Sequence, residues 1–155
     1  MVDGLEIVRV TRASREGLLR FLADVAGETD FFSPHPYTPE VIDRIADSTG
    51  RDLYYVATNG EAVLGYGMLR GWDEGYEVPS LGISVHPSVR GTGLAQVLMA
   101  FLHAAARVRG ASRVRLRVHR ENQRARRLYE SLGYHFAAEE GENLVGFFEL
   151  GKGHQ

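Results

Sequence analysis

The chain has 155 residues, of which 44% are hydrophobic and 25% charged, and its formal net charge is −2. These values are ordinary for one folded domain and give no electrostatic reason to expect nucleic acid or an anionic membrane as a partner. The absence of cysteine excludes disulfides, a thiol nucleophile and thiolate metal ligands. No apolar run approaches the ~20 residues of a membrane span, and no signal-peptide pattern begins the sequence, so we expect a cytoplasmic protein.

The first half of the chain predicts two helices and three strands. Residues 5–10 alternate apolar and polar side chains, as in a half-buried strand. A helix is expected over Ser14–Val25, capped by its serine, and a shorter one begins at Thr38-Pro39. Asn59-Gly60 separates two β-rich runs and is the strongest signal of a two-residue hairpin turn.

The second half predicts a strand over 80–86, an amphipathic helix over Gly93–Val108 and a strand over 113–119 that places three arginines on one face. Asn122 is a suitable cap for the next helix, which should end before Gly133. Two further strands follow, with a turn near Gly141. The side chains expected to face the core from the amphipathic helix are Leu94, Val97, Leu98, Phe101, Leu102 and Ala105.

The element order β-α-α-β-β-β-α-β-α-β-β predicts an α/β fold, in which a mixed sheet of about seven strands carries four helices. The β-α-β run over 80–119 fits a right-handed parallel crossover. We expect a single domain over residues 1–150 and a short C-terminal tail over 151–155.

The stretch "SVHPSVRGTGLAQVL" places a glycine-rich turn between a strand and a helix. The first turn of a helix offers unpaired N–H donors and a partial positive charge, which suits a pyrophosphate. Gly91 and Gly93 remove the Cβ atoms that would hold an anion away, and Arg90 adds a charged fork. No lysine follows to suit a γ-phosphate. The turn therefore predicts a diphosphate site.

The same stretch, "VHPSVRGTGLA", resembles the acyl-CoA signature of the GNAT acetyltransferase superfamily, with Arg90, Gly93 and Ala95 at its defining positions. A later stretch, "LRVHRENQRARRLYESLGYHF", resembles the second characteristic segment of that family. The resemblance implies a GNAT fold with the sheet splayed between strands 4 and 5, and acetyl-CoA as cosubstrate. The implied cofactor-binding residues are Ile83, Ser84 and Val85 beside the pantetheine arm, Arg90, Gly91, Thr92, Gly93, Leu94 and Ala95 at the pyrophosphate, and Asn122 and Tyr129.

The resemblance also implies N-acetyl transfer to a primary amine by direct attack in a ternary complex. Tyr129 matches the tyrosine near the CoA sulfur and would protonate the leaving thiolate, and a backbone N–H of the Ser84–Val85 region would stabilise the oxyanion. The strand before the turn holds no acid, so the general base is open. Glu77 is favoured over Glu74, and loss of the amine proton to a water chain is the alternative.

Two loops fall where this fold builds its acceptor pocket. Phe32, Trp72 and Tyr76 could wall that pocket, and His35 could contact or deprotonate the acceptor. Together, Asp73, Glu74 and Glu77 favour a cationic acceptor, and a small amine, an amino sugar or a peptide N-terminus all fit. No metal is expected, because no His/Asp/Glu set has convincing ligand spacing. The protein could be a monomer or a homodimer.

Three other functions compete with this one. A dinucleotide-dependent oxidoreductase needs a third glycine where Gln96 stands. The arginine-rich stretch 120–127 could track nucleic-acid phosphates, but the net charge favours a solvated helix face. A non-catalytic acyl-CoA-binding or sensing protein would keep the cofactor site without turnover, and replacing Tyr129 with Phe would separate it from an enzyme.

Overall fold

A computed structural model describes residues 4–28 and 34–151 of the chain. It contains seven strands and four helices in the predicted order. The strands are β1 (Glu6–Arg9), β2 (Leu53–Thr58), β3 (Val63–Arg70), β4 (Ser80–Val85), β5 (Arg113–His119), β6 (His135–Glu140) and β7 (Asn143–Glu149), and the helices are α1 (Arg15–Glu28), α2 (Pro39–Asp47), α3 (Leu94–Val108) and α4 (Gln123–Leu132).

All seven strands form one sheet in the order β1-β2-β3-β4-β5-β7-β6. Neighbouring strands are antiparallel except for β4 and β5, which are parallel. The parallel pair meets only where Ser80 lies opposite Arg115. Beyond that point the two strands separate, which confirms the predicted mixed sheet and its splay between strands 4 and 5.

The helices cover the two faces of the sheet with separate apolar clusters. Helices α1 and α2 pack on β2 and β3 through side chains that include Leu18, Leu22, Ile42, Val56 and Met68. Helices α3 and α4 pack on the other face. Its cluster includes Leu98, Met99, Leu102, Val114, Leu116 and Tyr129. The arginines of β5 alternate with the buried Val114 and Leu116, so they lie on the α1/α2 side, beyond the area that those helices cover.

Two predicted local features differ in the structure. Helix α1 begins at Arg15, directly after Ser14 as predicted, and ends at Glu28 instead of near Val25. Ser14 itself closes a 3₁₀ turn, in which its hydroxyl accepts the Thr11 N–H at 3.2 Å. The β2–β3 hairpin is confirmed, but its loop has four residues, 59–62, instead of two. The Asn59 side chain holds this longer loop by accepting the N–H groups of Glu61 and Ala62 at 3.0 and 2.9 Å.

The inward face of α3 also differs from its prediction at one position. Val97 is 50% exposed, whereas Leu94, Leu98 and Leu102 are buried. A Cβ on Gly67 of β3 would lie 2.9 Å from Cδ1 of Leu102, so this glycine lets the helix approach the sheet along that row of leucines. The close approach sets the rotation of α3 and leaves Val97 facing outward.

Candidate functional site

The glycine turn opens the space in front of the N-terminus of α3. Gly91 and Gly93 have φ angles of +80° and +89°, a region that side chains with a Cβ rarely adopt. A Cβ built on either residue would meet nothing within 4 Å. Glycine is therefore required by the backbone conformation, and it leaves open room directly against the turn.

Several backbone donors of this turn remain available. The Thr92 hydroxyl donates to the Val89 carbonyl at 2.6 Å and accepts the Leu94 N–H at 3.3 Å, which braces the turn. Within residues 4–28 and 34–151, no acceptor takes the N–H groups of Gly91, Gly93, Ala95 and Gln96. With the exposed Arg90 beside them, these donors at a helix N-terminus suit a pyrophosphate.

Strand β4 offers an open edge next to this turn. All six of its residues pair with β3 on one side, but on the other side only Ser80 pairs with β5. The edge at Ile83, Ser84 and Val85 therefore has no strand partner within the described chain. An extended ligand with amide groups, such as a pantetheine arm, can add to such an edge as a strand would.

Helix α4 places Tyr129 on the α3/α4 side of the sheet. The helix begins at the predicted cap, where the Asn122 Oδ1 accepts the Ala125 N–H at 3.3 Å, and it ends at Gly133. Tyr129 is buried, with its ring centroid 5.7 Å from that of Tyr134. Burial raises the pKa of Tyr129 to about 12, so its hydroxyl keeps its proton at neutral pH.

A cleft of about 660 Å³ lies on the opposite, α1/α2 side, over the point where β4 and β5 separate. Glu74 and Tyr76, two of the residues that the sequence suggests for the acceptor side, line this cleft, whereas Glu77 is exposed outside it. Of the two carboxylates considered as a general base, Glu74 is thus the one that the fold brings to the cleft.

The remaining predicted pocket residues lie elsewhere. Trp72 is buried in the core, with the guanidinium groups of Arg51 and Arg109 5.6 and 4.9 Å from its ring centroid. Asp73 accepts the backbone N–H groups of Arg51 and Asp52, at 2.6 and 3.3 Å, and so closes a loop. Phe32 lies outside the described residues.

His35 lies in a second, smaller pocket of about 460 Å³ on α2. Its Nε2 is 2.9 Å from the Tyr66 hydroxyl and its Nδ1 is 2.8 Å from the Pro36 carbonyl oxygen. Burial lowers the pKa of His35, so the neutral ring is favoured. The structure therefore separates His35 from the larger cleft that Glu74 lines.

The larger cleft is also lined by basic residues that the sequence does not connect with an acceptor pocket, namely Arg70, Arg115, Arg117 and His119. The available signal was the alternation of arginines along β5, which predicts one charged face. Arg70 lies more than forty residues earlier on β3, and nothing local connects it with that face.

The described residues contain no group of three His, Asp or Glu placed to hold a metal. Nor does any helix of the described ranges have the length and apolar character of a membrane span.

Comparison with known proteins agrees with this geometry. The family model described as "Acetyltransferase (GNAT) family" matches residues 19–134. An uncharacterised N-acetyltransferase of Mycobacterium tuberculosis is 34% identical over 148 residues, which cover 86% of this chain and 90% of that protein. An acetyltransferase of Pectobacterium atrosepticum is 34% identical over 84 residues, which span 54% of this chain and only 57% of the relative.

Solved structures share the fold at low sequence identity. The PaiA N-acetyltransferase of Thermoplasma acidophilum, in complex with coenzyme A, has a TM-score of 0.82 at 17% identity, covering 94% of this chain and 99% of that one. An acetyltransferase of Salmonella typhimurium with its cofactor acetyl-CoA has a TM-score of 0.75 at 18% identity, with coverage of 97% and 95%. Because the family model spans most of the chain and agrees with the splayed sheet and glycine turn, the chain belongs to the GNAT family of acetyltransferases.

Proposed function

We propose that this acetyltransferase uses acetyl-CoA and transfers the acetyl group to a primary amine by direct attack in a ternary complex. The observation that carries the proposal is the coincidence of three features: the open edge of β4, the N–H groups of the glycine turn that no described residue accepts, and the buried Tyr129. The complexes of two structural neighbours with coenzyme A and acetyl-CoA support it.

The cofactor site would extend along β4 and onto the start of α3. Of the three residues Ile83, Ser84 and Val85, Ile83 and Val85 direct backbone groups to the open edge of β4 and would hold the pantetheine arm, whereas the backbone groups of Ser84 pair with β3. Thr92, Leu94 and Ala95 complete the turn that would hold the pyrophosphate, together with its two glycines and Arg90. The amide of Asn122, whose oxygen caps α4, would face the same ligand with its N–H₂ group.

When bound, acetyl-CoA supplies the acetyl group as a thioester. Glu74 would accept, directly or through a water, the proton that the ammonium must lose before its nitrogen attacks the carbonyl carbon. The N–H group of Val85, which points to the open edge because that of Ser84 points to β3, would donate to the carbonyl oxygen, which gains negative charge during the attack. After the attack the nitrogen carries a positive charge and would pass its second proton to solvent through water. Tyr129 would protonate the sulfur as the carbon–sulfur bond breaks, and would regain a proton once the products have left. No covalent acyl-enzyme is needed.

Calorimetric titration with acetyl-CoA tests the cofactor site. We expect the wild-type protein to bind with a low-micromolar Kd and Arg90→Glu to lose most of that affinity, because a carboxylate would repel the pyrophosphate. Arg20→Glu is the matched control, since Arg20 is an exposed arginine of α1. Absence of binding by the wild type at millimolar acetyl-CoA would refute the proposed function. Equal losses in both variants would show that charge alone matters and that the turn is not the site.

A further inference from the structure

The cleft on the α1/α2 side of the sheet is strongly basic. Three guanidinium groups line it, those of Arg70, Arg115 and Arg117, against one lining carboxylate, that of Glu74. The imidazole of His119 also lines the cleft, with its Nε2 3.4 Å from the Glu142 carboxylate. Arginine stays charged at every physiological pH. The lining therefore presents an excess of positive charge to whatever enters.

The strand register explains why two of these arginines converge. Arg70 of β3 lies opposite Ser80 of β4, and Ser80 lies opposite Arg115 of β5. Directly opposed residues project from the same face of a sheet, so the side chains of Arg70 and Arg115 leave the sheet on either side of Ser80. The two outer strands are two strand spacings apart, roughly 9–10 Å. Gly82, the next residue on this face of β4, has no side chain to fill the gap.

Protein groups satisfy these arginines only in part. A single carboxylate, that of Glu140, serves both β5 arginines of the cleft, at 3.1 Å from Arg115 and 4.0 Å from Arg117. Arg70 donates to the neutral carbonyl of Pro34 at 2.8 Å, and no carboxylate of the described chain forms an ion pair with it. Each guanidinium has five N–H donors, so donors remain for a ligand.

Arg113 of the same strand lies outside the cleft and provides a comparison for Arg115 and Arg117. It lies on the same face of β5, two residues before Arg115. Its guanidinium stacks 4.3 Å from the Phe147 ring centroid and lies 3.8 Å from the Glu149 carboxylate. If β5 only presented a solvated basic face, all three of its arginines would have similar surroundings. Instead, Arg115 and Arg117 line a cavity with Arg70, and Arg113 does not.

We propose that the acceptor is an amine that also carries an acidic group, a carboxylate or a phosphate, which the arginines of the cleft bind; this rests on the function proposed above. Both groups accept paired N–H bonds from guanidinium, and the Ser80 hydroxyl between Arg70 and Arg115 adds a further donor. Glu74, the one lining carboxylate, would face the ammonium end of such a molecule. Of the three carboxylates that favoured a cationic acceptor on sequence grounds, only Glu74 lines the cleft, because Asp73 accepts backbone N–H groups and Glu77 lies outside.

Matched acceptor pairs test the inference. L-amino acids are compared with their C-terminal amides, and glucosamine 6-phosphate with glucosamine, by thiol release from acetyl-CoA and by calorimetry on protein saturated with CoA. We expect the acidic member of a pair to have a kcat/KM at least about tenfold higher than its neutral partner, the effect of one or more charge-assisted hydrogen bonds. The series that responds distinguishes a carboxylate from a phosphate.

Variants of β5 separate recognition from folding. Arg115→Gln, and independently the more exposed Arg117→Gln, should lower kcat/KM for the acidic member about tenfold, change that for the neutral member little, and leave the Kd of acetyl-CoA unchanged. Arg113→Gln should keep the preference. The inference is overturned if neutral members are used equally well, or if no acidic member of either series is acetylated or bound. Either result leaves the proposed function standing so long as acetyl-CoA binds the wild type.

Discussion

The residues packed around Tyr129 determine the pKa of its hydroxyl. Its ring packs against Tyr134, whose hydroxyl lies 2.7 Å from the Nε2 of His103. His103 in turn stacks on Phe148, with centroids 4.4 Å apart and planes 7° from parallel. This aromatic cluster fixes the Tyr129 ring and excludes water from it, which raises its pKa and keeps the phenol in the acid form.

Replacing Tyr129 with Phe should therefore lower kcat by roughly 10²-fold, the scale of a general acid, while the Kd of acetyl-CoA stays unchanged. Because the pKa of Tyr129 is about 12, its acid form persists through pH 10, and kcat of the wild type should show no decline from this group between pH 7 and 10. Thiol release from acetyl-CoA measures kcat of the variant and its pH dependence in the wild type. Tyr55→Phe, a tyrosine of β2 packed edge-on against Phe101, is the control. An unchanged kcat in the Tyr129 variant would remove the tyrosine from the mechanism.

At the scale of the element, α4 depends on its two ends. The Asn122 side chain satisfies one of the N–H groups that every helix start leaves unpaired, and Gly133 ends the helix with a φ of +108°. A Cβ on Gly133 would also lie 3.1 Å from Cε1 of Phe148, so the end of α4 is tied to β7. The helix that carries Tyr129 is thus positioned by residues that sequence alone identifies.

Asn122→Ala should lower the free energy of unfolding by about 1 kcal/mol, the usual value of an N-cap, whereas Asn122→Ser should recover most of it. Both variants lack the amide N–H₂, so both should weaken acetyl-CoA binding if that group holds the cofactor. Urea denaturation gives the stability, and calorimetry the affinity. If the serine variant binds acetyl-CoA like the wild type, Asn122 is a cap only, and its proposed cofactor role falls.

At the scale of the whole molecule, a buried histidine joins three elements. His103 lies on α3, Tyr134 follows α4 and Phe148 belongs to β7. Burial, with a smaller effect from Arg107, lowers the pKa of His103 to about 4. The neutral ring therefore belongs to the folded state, while the unfolded chain takes up a proton near pH 6.5.

The unfolded state then binds more protons than the folded state between pH 6.5 and 4, so stability should fall as the pH is lowered through that range. We expect His103 to account for a loss on the order of 2–3 kcal/mol. His103→Gln, which keeps an acceptor for Tyr134, should flatten the pH dependence of the unfolding free energy measured in urea. His135→Gln, on an exposed residue of β6, should not. Identical slopes in all three proteins would contradict the assignment.

The sequence by itself determined the order of the elements, the glycine turn before α3 and the cap of α4. Each of these depends on local chemistry: periodicity over a few residues, a positive φ at Gly93, and a side chain that bonds three residues ahead at Asn122. Because these features depend only on neighbouring residues, the structure shows them as the sequence predicts them. The sequence also shows the alternating arginines of β5, but not which of them line the cleft.

Only the tertiary structure decided what faces the cleft. The register across β3, β4 and β5 aligns Arg70 with Arg115, and the core takes Trp72 away from the pocket. The choice of Glu74 over Glu77 as the lining carboxylate depends on how one loop folds back against the sheet. These outcomes join residues far apart in the chain or depend on which side of a loop faces inward, and packing, rather than any local propensity, determines both.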